Sequence, residues 1–225
     1  EALEKIEATF DQWARDGKDL SMEEGHKNIV REVLQDVEVP FNGQVLDVGC
    51  GNGYVVRALA NRLPDAAVMG IDISDSMLTR AKAATPENLY NAVYYRGTIF
   101  DESLNDEKFD LIFGMESLYY MAPVETAIKR LAEITNFGGQ LIMVLDFYKE
   151  NEASHEWPSK YGIEMELHSM DEYSAMFSAA GLENVEVKQV KDAKSDEAWK
   201  RDVGSLVVSG SRPAEMSADF LLGDI

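Results

Sequence analysis

Residues 44–53 read QVLDVGCGNG, a short apolar run that leads into a glycine-rich turn, and a helical pattern follows over residues 54–63. The run is rich in branched apolar residues, which is typical of a strand buried on both faces of a parallel sheet. Gly49, Gly51 and Gly53 can adopt backbone angles that other residues avoid, and they let a ligand approach the main chain closely. The helix after the turn presents free N–H groups and the positive end of its dipole, which suit the polar part of a nucleotide-like ligand.

The spacing of the glycines distinguishes two classes of cofactor. The dinucleotide fingerprint G-x-G-x-x-G/A requires a small third residue, whereas this chain has Tyr54 there. An NAD-dependent dehydrogenase is therefore disfavoured. The pattern that begins at Asp47 is D-x-G-x-G-x-G instead, and it resembles motif I of the class I S-adenosylmethionine (SAM)-dependent methyltransferases. The resemblance implies SAM as the cofactor and S-adenosylhomocysteine as the product.

An acidic residue follows at the position that this resemblance requires. Residues 67–72 read AVMGID, a second strand that ends in Asp72, nineteen residues after Gly53. A carboxylate at this strand end can accept hydrogen bonds from both ribose hydroxyls. Later segments resemble further landmarks of the family in the right order, namely 75–78 (DSML), 109–113 (FDLIF) and 137–141 (FGGQL). The resemblance therefore extends over about residues 40 to 148.

Strand and helix patterns alternate along the chain, which predicts βαβ units and a parallel sheet flanked by helices. We expect strands near residues 44–48, 67–72, 92–96, 109–113, 139–146, 183–190 and 203–210, and helices near residues 54–63, 75–84, 123–135 and 170–180. Together with the resemblance, this pattern predicts an α/β fold. The expected architecture is a Rossmann-like, doubly wound, seven-stranded and mostly parallel sheet with an antiparallel last strand.

The remaining segments are assigned to a cover, a lid and a tail within a single SAM-dependent methyltransferase domain of residues 1–225. Residues 1–39 carry apolar residues at helical spacing and form the expected N-terminal helical cover, whose second helix begins at a capping box of Ser21 and Glu24. Residues 148–169 are polar and aromatic with weak periodicity, which favours an inserted lid. The last dozen residues are expected to form a loose tail.

The net charge of −20, from 41 acidic and 21 basic residues, disfavours a nucleic-acid partner, because affinity for nucleic acid rests on basic contacts to phosphate. The negative net charge also disfavours binding to anionic membrane surfaces. No apolar run in the sequence approaches the length that crosses a bilayer. The single cysteine, Cys50, fits a reducing cytoplasm. We expect a cytoplasmic protein, monomeric or homodimeric, that acts on a small-molecule substrate.

The resemblance implies a set of cofactor-binding residues near the carboxyl ends of the first four strands. They are Asp47, Gly49, Cys50, Gly51, Gly53, Asp72, Ile73, Met77, Thr98, Ile99 and Met115. Asp47 is expected near the amino group of the cofactor's methionine part, and Asp72 at the ribose. After the third strand, where family members often place an acid, this chain has Thr98 and Ile99. Either these two residues or the later Asp101 contact the adenine.

Methyl transfer from an activated cofactor demands proximity, alignment and exclusion of water, and it needs a base only when the acceptor is protonated. Glu116 and Tyr119 are candidate catalytic residues because they follow the fourth strand, and a desolvated Glu116 could act as a base. His26 in the cover and His155 in the lid are two further candidates, since their segments resemble those of small prokaryotic methyltransferases. Structural or surface roles remain open for all four residues.

No cluster of cysteine and histidine residues with ligand spacing occurs in the sequence, and the carboxylates are scattered, so no metal site is expected. The favoured function is transfer of a methyl group from SAM to an oxygen, nitrogen or carbon atom of a small-molecule acceptor. A methyltransferase that modifies a protein and a SAM-binding module without turnover remain as alternatives.

Overall fold

Seven strands form one sheet in the computed structural model, which describes residues 2–214. The strands are β1 (Gln44–Val48), β2 (Ala67–Asp72), β3 (Ala92–Arg96), β4 (Phe109–Met115), β5 (Thr135–Leu145), β6 (Glu183–Val190) and β7 (Ser205–Ser211). Their order across the sheet is β3-β2-β1-β4-β5-β7-β6, and β7 runs antiparallel to both of its neighbours. The predicted mostly parallel sheet with an antiparallel last strand is confirmed. Residues 215–225, on which the expected tail falls, lie outside the described residues.

Eight α-helices accompany the sheet in the described part of the chain. They are α1 (Ala2–Arg15), α2 (Lys18–Leu34), α3 (Tyr54–Arg62), α4 (Asp75–Ala84), α5 (Val124–Ile134), α6 (Trp157–Tyr161), α7 (Met170–Ala179) and α8 (Ala198–Asp202). Helices α2, α3 and α4 contribute to one buried apolar cluster, and α5 and α7 contribute to a second. None of the described helices is long and apolar enough to cross a membrane.

Successive residues of the central strands belong to opposite clusters. Val45 of β1 and Leu111 of β4 pack with α2, α3 and α4, whereas Leu46 and Ile112 pack with α5 and α7. Side chains alternate between the two faces of a strand, so burial on both faces makes these strands continuous apolar runs in the sequence. The parallel pairing of β1 with β2 and β4 brings the carboxyl ends of these strands to one edge of the sheet.

The second helix of the cover begins earlier than the sequence predicted. Gly17 takes the left-handed conformation, with φ 73°, and α2 starts directly after it at Lys18. The predicted capping box is wrong, because Ser21 lies inside the helix and its hydroxyl donates to the Lys18 carbonyl at 2.8 Å. Glu24 instead pairs with Lys27 on the helix surface.

Polar contacts fasten the cover to the sheet domain. The Asp11 carboxylate of α1 accepts hydrogen bonds from Ser74 Oγ at 2.5 Å and from the Ser76 amide at 3.2 Å. Asp19 of α2 is buried and pairs with Arg80 of α4 at 2.8 Å. Because a buried charge is stable only when it is paired, these contacts fix α1 and α2 against the N-terminal half of α4.

The segment predicted as a lid, residues 148–169, contains α6 and is held by hydrogen bonds to the chain that follows β4 and β5. The Asn151 side chain donates to the Asp146 carbonyl at 2.7 Å. The amide of Glu166 donates to the Tyr119 carbonyl at 2.9 Å. These bonds anchor both parts of the segment beside the carboxyl edge of the sheet.

Candidate functional site

A cavity of about 540 Å³ lies at the carboxyl ends of β1, β2 and β4, beneath α1 and α2. Sites in open α/β sheets lie beyond these strand ends. Ten of the residues predicted to bind the cofactor line the cavity: Asp47, Gly49, Cys50, Gly51, Asp72, Ile73, Met77, Thr98, Ile99 and Met115. The cover adds the apolar residues Ala2, Leu3, Ile6, Phe10 and Met22. The structure thus brings most of the residues implied by the family resemblance into one covered space.

The three glycines of the turn have different roles, although all have positive φ. Gly49 lines the cavity, and a Cβ on it would lie 2.6 Å from Ser117 Cβ. A Cβ on Gly51 would meet no described atom within 4 Å, since this residue borders open space. Gly53 is not among the lining residues, and a Cβ there would lie 2.6 Å from the Tyr94 hydroxyl. The absence of a side chain at Gly53 lets the start of α3 lie close to Tyr94 of β3 and Ala81 of α4, and its role as a cofactor contact stays a prediction.

Asp72 connects the glycine turn to the start of α4. Its Oδ2 accepts a hydrogen bond from the Gly51 amide at 2.8 Å, and its Oδ1 accepts one from the Ser74 amide at 2.9 Å. Burial raises the pKa of Asp72, and hydrogen bonds from the Ser74, Gly51 and Ile73 amides oppose that rise. Each carboxylate oxygen has two lone pairs, so Asp72 retains the capacity to accept hydrogen bonds from a ligand in the cavity.

Asp47, near the end of β1, carries a carboxylate oxygen without a hydrogen-bond partner among the described residues. The side chain is 2% exposed, and its Oδ2 has no hydrogen-bond partner among the described residues. Burial, together with the charge of Asp72, raises the pKa of Asp47 to about 8. The hydroxyls of Tyr54 and Ser117, which also line the cavity, lack partners as well. Buried polar atoms are normally satisfied, so this wall fits a ligand that carries a positively charged amino group.

The loop after β3 contains Thr98, Ile99 and Asp101, between which the sequence left the adenine contact open. Asp101 accepts hydrogen bonds from the Thr98 amide and the Thr98 hydroxyl, both at 3.1 Å. Thr98, Ile99 and Phe100 line the cavity, whereas Asp101 does not. Asp101 therefore holds the loop through Thr98, and this arrangement favours Thr98 and Ile99 over Asp101 as the residues beside the adenine, which stays a prediction.

The acceptor end of the cavity, which we define as Glu23, His26, Glu116 and Tyr120, lies between α2 and the turn after β4. Glu116 has φ 58°, an uncommon conformation for a residue other than glycine. Its Oε2 accepts a hydrogen bond from the Tyr119 hydroxyl at 2.5 Å, and its Oε1 accepts one from the amide that follows β5. Burial raises the pKa of Glu116 well above its usual range, and the charge of Asp146 adds to the rise.

The four predicted catalytic residues do not all reach the cavity. Glu116 and His26 line it. Tyr119 is buried and does not line the cavity, whereas the neighbouring Tyr120 does. His155 is exposed, with Nε2 3.0 Å from the Lys149 carbonyl, and it does not line the cavity. Neither side chain lines the cavity in this structure, and catalytic roles for Tyr119 and His155 stay predictions.

The expected closure of residues 148–169 over the substrate stays a prediction. No residue of that segment is among those that line the cavity in the described chain. The covering residues come instead from α1 and α2.

Sequence reasoning missed a polar group in which the cover meets the glycine turn. The Asn52 side chain donates to Glu23 at 2.8 Å and to Asp19 at 3.3 Å. These three residues line the cavity together with Tyr54. Asn52 and Tyr54 were visible within the motif, but no sequence pattern pairs them with acids about thirty residues earlier on α2. Such a contact depends on how two helices lie across the edge of the sheet, so patterns of capping residues or of hydrophobic periodicity cannot reveal it.

Comparison with known sequences supports the same class of protein. A family model described as a methyltransferase domain matches residues 45–139. A trans-aconitate 2-methyltransferase of Variovorax paradoxus (strain S110) is 28% identical over 210 residues, which make up 85% of this chain and 79% of that protein.

Solved structures have the same architecture. The chain solved in complex with the Haloferax volcanii Trm112 methyltransferase activator matches with a TM-score of 0.83 and 30% identity, covering 91% of this chain and 97% of that one. The [4+2]-cyclase SpnF matches with a TM-score of 0.67 and 18% identity, over 84% of this chain and 82% of its own. At that identity the likeness to SpnF concerns the fold alone.

The mixed seven-stranded sheet, with a glycine turn and an acid at its carboxyl edge, defines a Rossmann-like methyltransferase fold. Together with the sequence relatives, it shows that the chain belongs to the class I SAM-dependent methyltransferase family.

Proposed function

We propose that this protein binds SAM in the covered cavity and transfers its methyl group to an oxygen, nitrogen or carbon atom of a small-molecule acceptor. The observation that supports this most is the pairing of Asp47 and Asp72 across the glycine turn. One acid is buried without a partner on Oδ2, and the other is tied to the turn by the Gly51 amide. An amino group and a pair of ribose hydroxyls are the complements of these two carboxylates.

The protein's own groups have distinct tasks in this proposal. Bound SAM supplies a methyl group already activated on a sulfonium. Asp47 holds the amino group, Asp72 holds the ribose, and Thr98 and Ile99 border the adenine. Ile6 and Phe10 of the cover exclude water from the space above the turn. Because displacement at carbon needs alignment more than acid or base chemistry, positioning is the main contribution of the chain.

A small acceptor fits the covered shape of the cavity. Helices α1 and α2 lie over the strand ends and contribute lining residues, which favours a small acceptor. The sequence relatives include enzymes named for small molecules, trans-aconitate in one case and ubiquinone biosynthesis in another. A methyltransferase that modifies proteins is the weaker alternative on these grounds.

Thermal unfolding with SAM, S-adenosylhomocysteine and NAD, each added separately, tests the cofactor. A ligand at about 100 times its dissociation constant adds about 2.7 kcal/mol to the free energy of unfolding. For a domain of this size we expect the midpoint to rise by about 5–10 °C with the first two ligands and not with NAD. Absence of a shift with both SAM-type ligands at saturation would contradict the proposal.

A SAM-binding module without turnover is the second candidate. The fold alone does not distinguish a methyltransferase from such a module, since a protein named as a cyclase has the same fold. Release of S-adenosylhomocysteine in the presence of a panel of small amines, alcohols and carboxylates separates the two. Saturable SAM binding without product from any of them favours the module.

We also propose that an activator protein binds the outer edge of β3. The similar chain from the Haloferax volcanii complex was solved with such an activator. In this chain β3 lies at one end of the strand order, where its outer backbone groups can pair with an added strand. Tyr90, Val93, Tyr95 and Phe100 are exposed apolar residues on or beside this strand. Such an uncovered apolar patch is typical of an interaction surface.

Titration with the Haloferax volcanii Trm112 activator tests this edge. We expect a one-to-one complex whose affinity falls at least tenfold in Tyr95→Glu. Phe137→Glu is the matched control, because Phe137 is also a half-exposed aromatic residue but lies on β5. Equal affinity of both variants, or no complex with the unaltered protein, would overturn the proposal. A monomeric or homodimeric state and a cytoplasmic location stay predictions.

A further inference from the structure

Three side chains that commonly bind metals meet at the acceptor end, although they come from distant parts of the chain. His26 lies on α2, Glu116 follows β4 and Asp146 follows β5, and one ligand atom of each lies within 4.8 Å of the other two. His26 Nε2 is 3.6 Å from Asp146 Oδ2. Atoms that coordinate an ion at about 2.1 Å are separated from one another by about 3–4 Å. Small side-chain movements therefore bring the three groups around a single ion.

An unsatisfied buried oxygen points independently to a missing cation. Asp146 is 1% exposed, and its Oδ1 has no hydrogen-bond partner among the described residues. The neighbouring Glu116 carboxylate is held in place by the Tyr119 hydroxyl and the Asp146 amide. Asp146 is buried and Glu116 is half-buried. Two carboxylates side by side repel each other, and burial of an ionised group costs several kcal/mol. A bound cation offsets both effects.

Lys200 does not fill this role by direct contact. Lys200 Nζ pairs with Glu197 at 2.7 Å and donates to the Gly25 carbonyl at 3.2 Å. The acidic pair therefore remains under-compensated.

We propose that His26, Glu116 and Asp146 bind one divalent first-row transition-metal ion, such as Mn²⁺ or Zn²⁺. One imidazole nitrogen with two carboxylate oxygens suits these ions, whereas Mg²⁺ and Ca²⁺ prefer oxygen ligands alone. This site departs from the expectation of no metal, because residues 26, 116 and 146 show no ligand spacing in the sequence.

The position of the site gives the ion a role at the acceptor. His26 and Glu116 line the cavity, while Asp146 lies behind them, so the open coordination positions face the cavity. In a part of the inference that rests on the proposed methyl transfer, an oxygen atom of the acceptor would bind there and be oriented for reaction. Metal binding itself does not depend on methyl transfer.

Manganese binding to the chelator-treated full-length protein tests the site. Free Mn²⁺ is measured by its electron paramagnetic resonance signal during titration in 0.2 M NaCl, which weakens diffuse binding to the acidic surface. We expect one saturable Mn²⁺ per chain, displaced by Zn²⁺. The dissociation constant should rise at least tenfold in Asp146→Asn and in His26→Gln. Loss of ¹⁴N coupling in the pulsed spectrum of His26→Gln would identify the imidazole ligand.

His168→Gln is the matched control. His168 Nε2 lies 3.2 Å from Glu166 and its Nδ1 lies 3.7 Å from Glu172, so a histidine beside two acids is present away from the cavity. Manganese affinity should be unchanged in this variant. No saturable binding to the unaltered protein, or equal loss in all three variants, would overturn the metal site. Binding of S-adenosylhomocysteine to the metal-free protein is measured in parallel, so failure of the metal site and failure of cofactor binding are distinguishable.

Discussion

The two ends of the cavity are built in different ways. The cofactor end comes from one local segment, residues 47–53, completed by Asp72 at the next strand end. The acceptor end is assembled from α2 and the turn after β4, which lie far apart in the chain. Both ends contain carboxylates whose pKa is raised by burial. At the cofactor end, the Gly51 and Ser74 amides hold Asp72, whereas at the acceptor end Glu116 is held by one amide and by the Tyr119 hydroxyl. The comparison shows that a backbone-built site is encoded locally, whereas a side-chain-built site depends on the whole fold.

Substitution of the turn glycines has the largest expected effect on stability. In Gly53→Ala the new Cβ would meet Tyr94 and Ala81 at less than 3 Å in a residue with φ 77°, so we expect a loss of about 3 kcal/mol. Gly51→Ala meets open space and carries only the cost of its positive φ, about 1 kcal/mol.

Chemical denaturation of both variants, with S-adenosylhomocysteine titrations, measures this difference. Gly51→Ala should weaken ligand binding at least tenfold while remaining folded. If Gly53→Ala is the more stable of the two, the assignment of Gly53 to packing and of Gly51 to the ligand is wrong.

Asp47→Asn should stabilise the ligand-free protein in a pH-dependent manner. The pKa of Asp47 is about 8 in the folded state and 3.8 ordinarily, so the folded state binds this proton more tightly. The free energy of unfolding of the unaltered protein therefore falls as pH rises from about 4 to about 8, and it is constant above that. Asp47→Asn has no such titrating group, so its free energy of unfolding should not fall in this way. The difference in free energy of unfolding between the variant and the unaltered protein should grow over the same pH range and reach at least about 2 kcal/mol at pH 8.5.

Thermal unfolding from pH 5 to pH 8.5 checks this prediction. At the highest pH we expect the variant to melt about 4–8 °C above the unaltered protein. A variant that is less stable than the unaltered protein at every pH would show that Asp47 is satisfied within the protein, and not reserved for a ligand.

Glu116→Gln should impair methyl transfer without impairing cofactor binding. The glutamine keeps the shape of the side chain. Its oxygen can accept the hydrogen bond from the Asp146 amide, and its NH2 group can donate to the Tyr119 hydroxyl oxygen, so we expect S-adenosylhomocysteine affinity to change by less than threefold. Methyl transfer to any acceptor that is identified should fall at least tenfold. Calorimetry and a product assay give the two values. A large loss of cofactor affinity would mean that the ends are coupled through the turn after β4.

His155→Ala has the smallest expected effect. The side chain is exposed and contacts only the Lys149 carbonyl among the described hydrogen bonds. We expect a change of less than about 0.5 kcal/mol in the free energy of unfolding, as for most surface substitutions. Product formation should change less than twofold. A loss of activity in the folded variant would place residues 148–169 over the acceptor during turnover.

The sheet and the cofactor end could be predicted because each depends on local patterns. Apolar runs such as 44–48 mark strands buried on both faces, and the glycine spacing with Asp72 marks the turn. The start of α2 was misplaced, since Ser21 and Glu24 match a capping pattern that the left-handed Gly17 makes unnecessary.

The acceptor end could be predicted only in part. Glu116 and His26 were identified, but Tyr119 and Tyr120 are adjacent in sequence, and only the backbone turn after β4 decides which one reaches the cavity. Asp146 gave no signal of its own, because it is one acid among 41 and its neighbours in space come from two other segments.

The dissociation constant of S-adenosylhomocysteine, measured by calorimetry between pH 6 and pH 8, tests most directly whether the cavity is a SAM site built around Asp47. An ammonium group requires ionised Asp47, whose pKa of about 8 in the free protein makes its ionisation costly at lower pH. Affinity should therefore rise with pH, by up to about a hundredfold over this range, and this dependence should vanish in Asp47→Asn. No binding of S-adenosylhomocysteine, or the same pH-independent affinity in the unaltered protein and in Asp47→Asn, would contradict a SAM site built around Asp47.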